Sequence, residues 1–195
     1  MKKILKILPY ILLAYAAMYS TIWLHELGHS LAYHYFECKQ DVLNFYVPVY
    51  FANANPYPVD EAKSATLERW QYFYISLAGV AMNLLLALVL WVILQSKLKF
   101  TRFLYFFIIM FLLSNLLEAA TYLTISNIYP LSDMIAIQEY NPILRIPLFL
   151  LGLLLIYGII GLIMNAPKTW QKGMTIFSMV AALAMGGLRL LFTIF

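Results

Sequence analysis

The stretch from Ile7 to Tyr35 is apolar almost throughout, yet residues 25 to 29 within it read His-Glu-Leu-Gly-His. At about 20 residues per crossing of a hydrocarbon core, this stretch is long enough to span a membrane with residues to spare. It must therefore tilt or emerge from the bilayer. A spanning segment of this kind is helical, because lipid offers its backbone no hydrogen-bond partner. Four further runs reach spanning length, near residues 70–94, 103–125, 143–164 and 174–195. With 64% hydrophobic and 11% charged residues, the composition is that of a polytopic membrane protein and excludes a soluble domain. The expected fold is all-α with about five transmembrane helices. They form one transmembrane domain over 1–195, with a core at about 7–140 and additional helices at about 143–195. Lys2, Lys3 and Lys6 before an apolar run imitate a signal peptide, but the motif inside that run argues against cleavage.

On a helix, His25 and His29 lie one turn apart on one face. That spacing suits a zinc ion held by both imidazoles, with Glu26 beside it as general base. The plain alternative is two buried histidines hydrogen-bonded to neighbouring helices. It would also have to bury Glu26, which is costly in hydrocarbon and usually marks function. The chain has three histidines in all. The third, His34, sits among Tyr33, Tyr35 and Phe36 and reads as an interfacial residue rather than a ligand.

Catalytic zinc takes three protein ligands and keeps one position open. Asp133 ends the proline-containing break Asn127-Ile128-Tyr129-Pro130-Leu131-Ser132-Asp133 and is the favoured third ligand. By itself it would be a helix cap or a solvated loop residue, since Ser132-Asp133 could start a short helix over Met134–Tyr140. Glu118, one turn after Asn115 in the third span, is the competitor; otherwise it is an outer hydrogen-bonding group or lines a water-filled path. Between the first two spans, Val42 to Phe51 is rich in β-branched and aromatic residues and reads as a short membrane-edge β segment. Pro48 confines it to an edge or bulge, and an irregular loop with aromatic anchors is the alternative. Asn53 to Pro58 reads as turn, and a helix start follows Asp60. Gly158 and Gly161 are candidate helix-packing positions.

Together these elements resemble the site-2 protease family of intramembrane zinc metalloproteases. That family carries HExxH in one core span, Gly-Pro-x-x-Asn in the next, and a later Asn…Pro…Leu-Asp-Gly segment. The matches are His25-Glu26-Leu27-Gly28-His29, Gly79-Val80-Ala81-Met82-Asn83 and Asn127 to Asp133. The resemblance implies one Zn2+ per chain on His25, His29 and Asp133, with Glu26 as base. It implies that Gly79 and Asn83 flank a bound peptide, and that a sheet after the first helix pairs with an unwound substrate strand. The chain would be a compact member without a PDZ domain.

Val80 replaces the family's proline and Met134 its glycine. These departures keep open a catalytically inactive membrane scaffold or binding protein as the alternative. A proton-coupled transporter would use similar residues but leaves the HExxH order unexplained. The expected partners are a membrane protein or peptide substrate and the lipid bilayer, in a bacterial or archaeal cell membrane. No basic tract suggests nucleic acid, and the sequence is silent on oligomeric state. Cys38 is the single cysteine, so no internal disulfide is possible. Lys2, Lys3, Lys6, Lys97, Lys99, Arg102, Lys168 and Lys172 fall on one side of the membrane, against Lys39, Lys63, Arg69 and Arg145 on the other. The positive-inside rule then puts the N-terminus in the cytoplasm and the HExxH site toward the outer face.

Overall fold

The structure, a computed structural model, describes residues 2–51 and 53–187. Its helices are α1 (Lys2–Tyr35), α2 (Glu61–Ser64), α3 (Arg69–Gln95), α4 (Arg102–Ile128), α5 (Asp133–Tyr140), α6 (Arg145–Asn165) and α7 (Lys168–Ala182). Among the described residues four helices, α1, α3, α4 and α6, are long and apolar enough to cross a membrane. Of the about five expected, these four are found. The last apolar run begins with the 15-residue α7, whose first turn carries Lys168, Gln171 and Lys172, and continues into a π-helical turn, Leu183–Gly187. Residues 188–195 of that run lie outside the described residues.

Helix α4 is the hub. Its most apolar window is 67% buried inside the protein, against 11% for that of α6, whose outer face is left to lipid. Helices α1, α3 and α4 pack on one another, and α6 and α7 close against α4. Small residues set the approach distances, as expected where lipid is as apolar as the side chains. A Cβ on Gly28 would lie 2.6 Å from the Ala78 carbonyl oxygen, so α1 and α3 touch backbone to backbone. Gly152 plays the same part between α6 and α4, 2.6 Å from the Thr124 Cγ2, whereas Gly158 and Gly161 face open space and make no packing contact. Between α1 and α4, the Asn115 amide donates to the Thr21 hydroxyl at 3.2 Å.

No strand forms among the described residues after α1, which corrects the expected β segment. A single antiparallel bridge, Tyr46 with Asn55, is all that remains of it. Pro48 lacks a donor for a ladder, and Phe51 and Asn53 take positive φ of 67° and 61°, which ends an extended run. The segment instead turns back along α1. Ser30 Oγ donates to the Val42 carbonyl at 2.7 Å, Tyr19 to Val47 at 3.1 Å and Tyr15 to Val49 at 2.9 Å. From Ser30 to Tyr15 is roughly 22 Å of helix at 1.5 Å per residue, so the loop runs about that far back along a helix apolar enough to cross a membrane before returning. Irregular backbone survives at such depth only when buried in protein or lining a polar cavity. Here it lines one.

Candidate metal centre

The α1 turn that carries the motif faces α3, and the break after α4 brings α5 to the same place. His25 is 1% and His29 4% exposed. Their Nε2 atoms are 3.0 Å apart, and Asp133 Oδ2 lies 3.4 Å from the first and 3.2 Å from the second. Three ligand atoms around a tetrahedral ion with bonds of about 2.0–2.1 Å should be about 3.3–3.4 Å apart. The observed triangle fits that ion closely, and these three side chains could hold it.

The surroundings favour the same use. His29 Nδ1 lies 2.7 Å from the Ile75 carbonyl, so Nδ1 carries the proton and Nε2 is left with its lone pair inward. The His25 ring is stacked on Tyr122, centroids 4.9 Å apart and 10° from parallel. Across the triangle, α3 presents Gly79. A Cβ there would lie 2.6 Å from His25 Nε2 and closer still to His29 Nε2, in the space an ion shared by the two nitrogens would occupy. Burial would push the Asp133 carboxyl up, but His29 and His25 beside it more than offset this and hold it well below the usual carboxylate range.

The triangle opens on a cavity of about 470 Å³, whose lining includes Glu26, Glu118, Tyr122 and Ser132. The loop lines it through Phe51 and Asn53 to Tyr57, and the π turn adds Ala184 and Met185. Glu26 is 6% exposed and stands beside the ligand atoms without joining them. Glu118, 1% exposed on α4, reaches the cavity wall but is likewise outside the convergent set. His34 is also outside it, its Nδ1 2.7 Å from the Lys39 carbonyl.

Asn83 and Asn127 stand apart from the cavity lining. Asn83 is 0% exposed on α3, one turn beyond Gly79. Asn127 is a strut: its amide donates to the Leu123 and Arg145 carbonyls, and Gln138 donates to its carbonyl and side-chain oxygens at 2.8 and 2.7 Å. It thereby fixes the ends of α4, α5 and α6 around the Asp133 turn. Ser132 precedes that turn with φ of 50° and makes no side-chain cap, contrary to its expected role. The two departures from the family pattern meet: Val80 and Met134, 1% and 0% exposed, are buried in one cluster with Ala119, Tyr122, Leu123 and Ile137. Met134 thus anchors the residue beside Asp133 into the core. Tyr122 was not singled out by sequence; its only signal is a position one turn after Glu118.

The model of peptidase family M50 matches residues 13–193 of the chain. No match was found among curated proteins or among solved structures.

Proposed function

Since the chain belongs to peptidase family M50, the site-2 protease family, we propose that it is an intramembrane zinc metalloprotease. It hydrolyses peptide bonds within or near the transmembrane segments of membrane-bound substrates. The observation that carries this reading is the convergence of His25, His29 and Asp133 beside a cavity lined by His29, Asp133 and Glu26, inside a bundle of helices long and apolar enough to cross a membrane. Zinc held by the three ligands supplies Lewis acidity toward a carbonyl and a water. Glu26 takes the proton of the attacking water and returns it to the leaving amine. Ile75 keeps His29 in the tautomer that offers Nε2, and the re-entrant loop with α4 walls the cavity from lipid. A substrate helix has to unwind there, because a helical peptide bond is shielded and already hydrogen-bonded.

Metal analysis tests the ligand set. Wild type is expected to purify with about one zinc per chain, Glu118→Ala to keep it, and Asp133→Ala to fall well below it. Equal zinc in wild type and Asp133→Ala overturns the assignment.

By the positive-inside rule the N-terminus is cytoplasmic and the cavity opens toward the other face. A chain with Cys38 replaced by serine and a cysteine at 97 or 172 is expected to label with an impermeant maleimide from the cytoplasmic side alone. Labelling from outside reverses the orientation.

A further inference from the structure

Lys39 is 5% exposed, and no carboxylate among the described residues forms an ion pair with it. An ammonium has three donors and no acceptor. Each donor here meets a backbone carbonyl: Asn44 at 2.5 Å, Pro56 at 2.7 Å and Pro58 at 2.8 Å. Asn44 lies on the limb of the loop that descends along α1, while Pro56 and Pro58 lie on the limb that returns. The charge therefore closes the neck of the re-entrant loop. Around it, the His34 ring holds the Lys39 carbonyl, and the Asp60 N–H donates to the Cys38 carbonyl at 2.7 Å. Burial pulls the ammonium below the ordinary lysine range, with the Asp41 carboxylate opposing.

Backbone pairing between the two limbs among the described residues is limited to the Tyr46–Asn55 bridge and the Asp60 to Cys38 bond at the neck. The loop nevertheless lines the cavity that His29 and Asp133 also line, through Phe51, Asn53, Ala54, Asn55, Pro56 and Tyr57. A buried cation is expensive to keep, and replacing it by an apolar chain strands the three carbonyls that solvate it. We propose that Lys39 is a positioning residue: its ammonium ties the two limbs at the neck and so holds the loop tip as the wall that limits access to the metal-binding cavity. The metal half of this statement rests on the zinc-protease reading; the neck itself does not.

Cys38 provides a native reporter, being the single cysteine, 0% exposed and adjacent to the tie. In purified protein, Lys39→Met is expected to raise the rate of Cys38 labelling by a small maleimide about tenfold or more, the scale set by losing hydrogen bonds to a charged group. Zinc loss to 1,10-phenanthroline is expected to quicken by a similar factor, with zinc content before chelation unchanged. In Lys39→Ala, propylammonium matches the deleted atoms, and adding it is expected to slow both rates toward wild type. General destabilisation would not respond to that cation. Unchanged labelling in a folded, monodisperse Lys39→Met protein overturns the proposal, as does labelling in Lys39→Ala that propylammonium leaves untouched. If wild type holds no zinc, the functional reading fails, and the cysteine measurement still decides the role of Lys39.

Discussion

Glu26→Gln is expected to leave zinc bound at the wild-type level and to cut proteolysis by about 10²–10⁴-fold, the usual contribution of a positioned general base. The substitution keeps the shape of the side chain and removes its capacity to accept a proton. Glu26 is not one of the three convergent ligand atoms, so the metal site has no reason to change. Its carboxylate is 6% exposed within a membrane helix, an expensive place for a charge without a task. The folded protein should therefore melt at the same temperature or higher once the charge is gone. The measurement is a comparison of peptides released from membranes by wild type and by the variant, read by mass spectrometry, beside zinc per chain. Wild-type proteolysis by Glu26→Gln removes the residue from the mechanism. Loss of zinc together with activity would make it a structural support of the site.

The parts of this site that sequence revealed are those whose chemistry is local. HExxH is legible because both candidate ligands and the proposed base sit within about one helical turn, where spacing alone determines facing. Asp133 is more than 100 residues away and follows from sequence only through the need for a third ligand; the fold brings its Oδ2 within 3.4 Å of both imidazoles. Val80 and Met134 depart from the family's motifs, and sequence alone does not say what surrounds them. In three dimensions both are buried in one cluster between α3, α4 and α5. The loop after α1 misled for a related reason. Its Val, Tyr and Phe content is that of a strand, but strand propensity measures fit to a half-buried pleated surface. Tyr15, Tyr19 and Ser30 offer hydroxyls to its carbonyls along α1, and the same residues satisfy the backbone there without a sheet. Lys39 carried no signal, since a lysine that bonds carbonyls at three positions looks in sequence like any surface lysine.

Gly79→Ala is expected to remove zinc more completely than the roughly 10–100-fold affinity loss typical of deleting an outer hydrogen bond. The added Cβ would stand 2.6 Å from His25 Nε2 and 2.7 Å from its Cε1, with His29 Nε2 nearer still. Zinc needs that ground, at about 2.0–2.1 Å from each nitrogen. Relief by moving α3 away would break the close backbone contact that Ala78 and Gly28 make one residue earlier. Relief by turning the imidazoles is opposed by the Ile75 carbonyl on His29 and the Tyr122 ring against His25. The comparison is Gly173→Ala on α7, where a Cβ meets nothing within 4 Å and zinc should stay at about one per chain. Metal content by mass spectrometry, with circular dichroism to establish that both variants fold, separates the outcomes. Full zinc in folded Gly79→Ala would mean that α3 does not abut the ion, and that the glycine of the second motif acts on the substrate side instead.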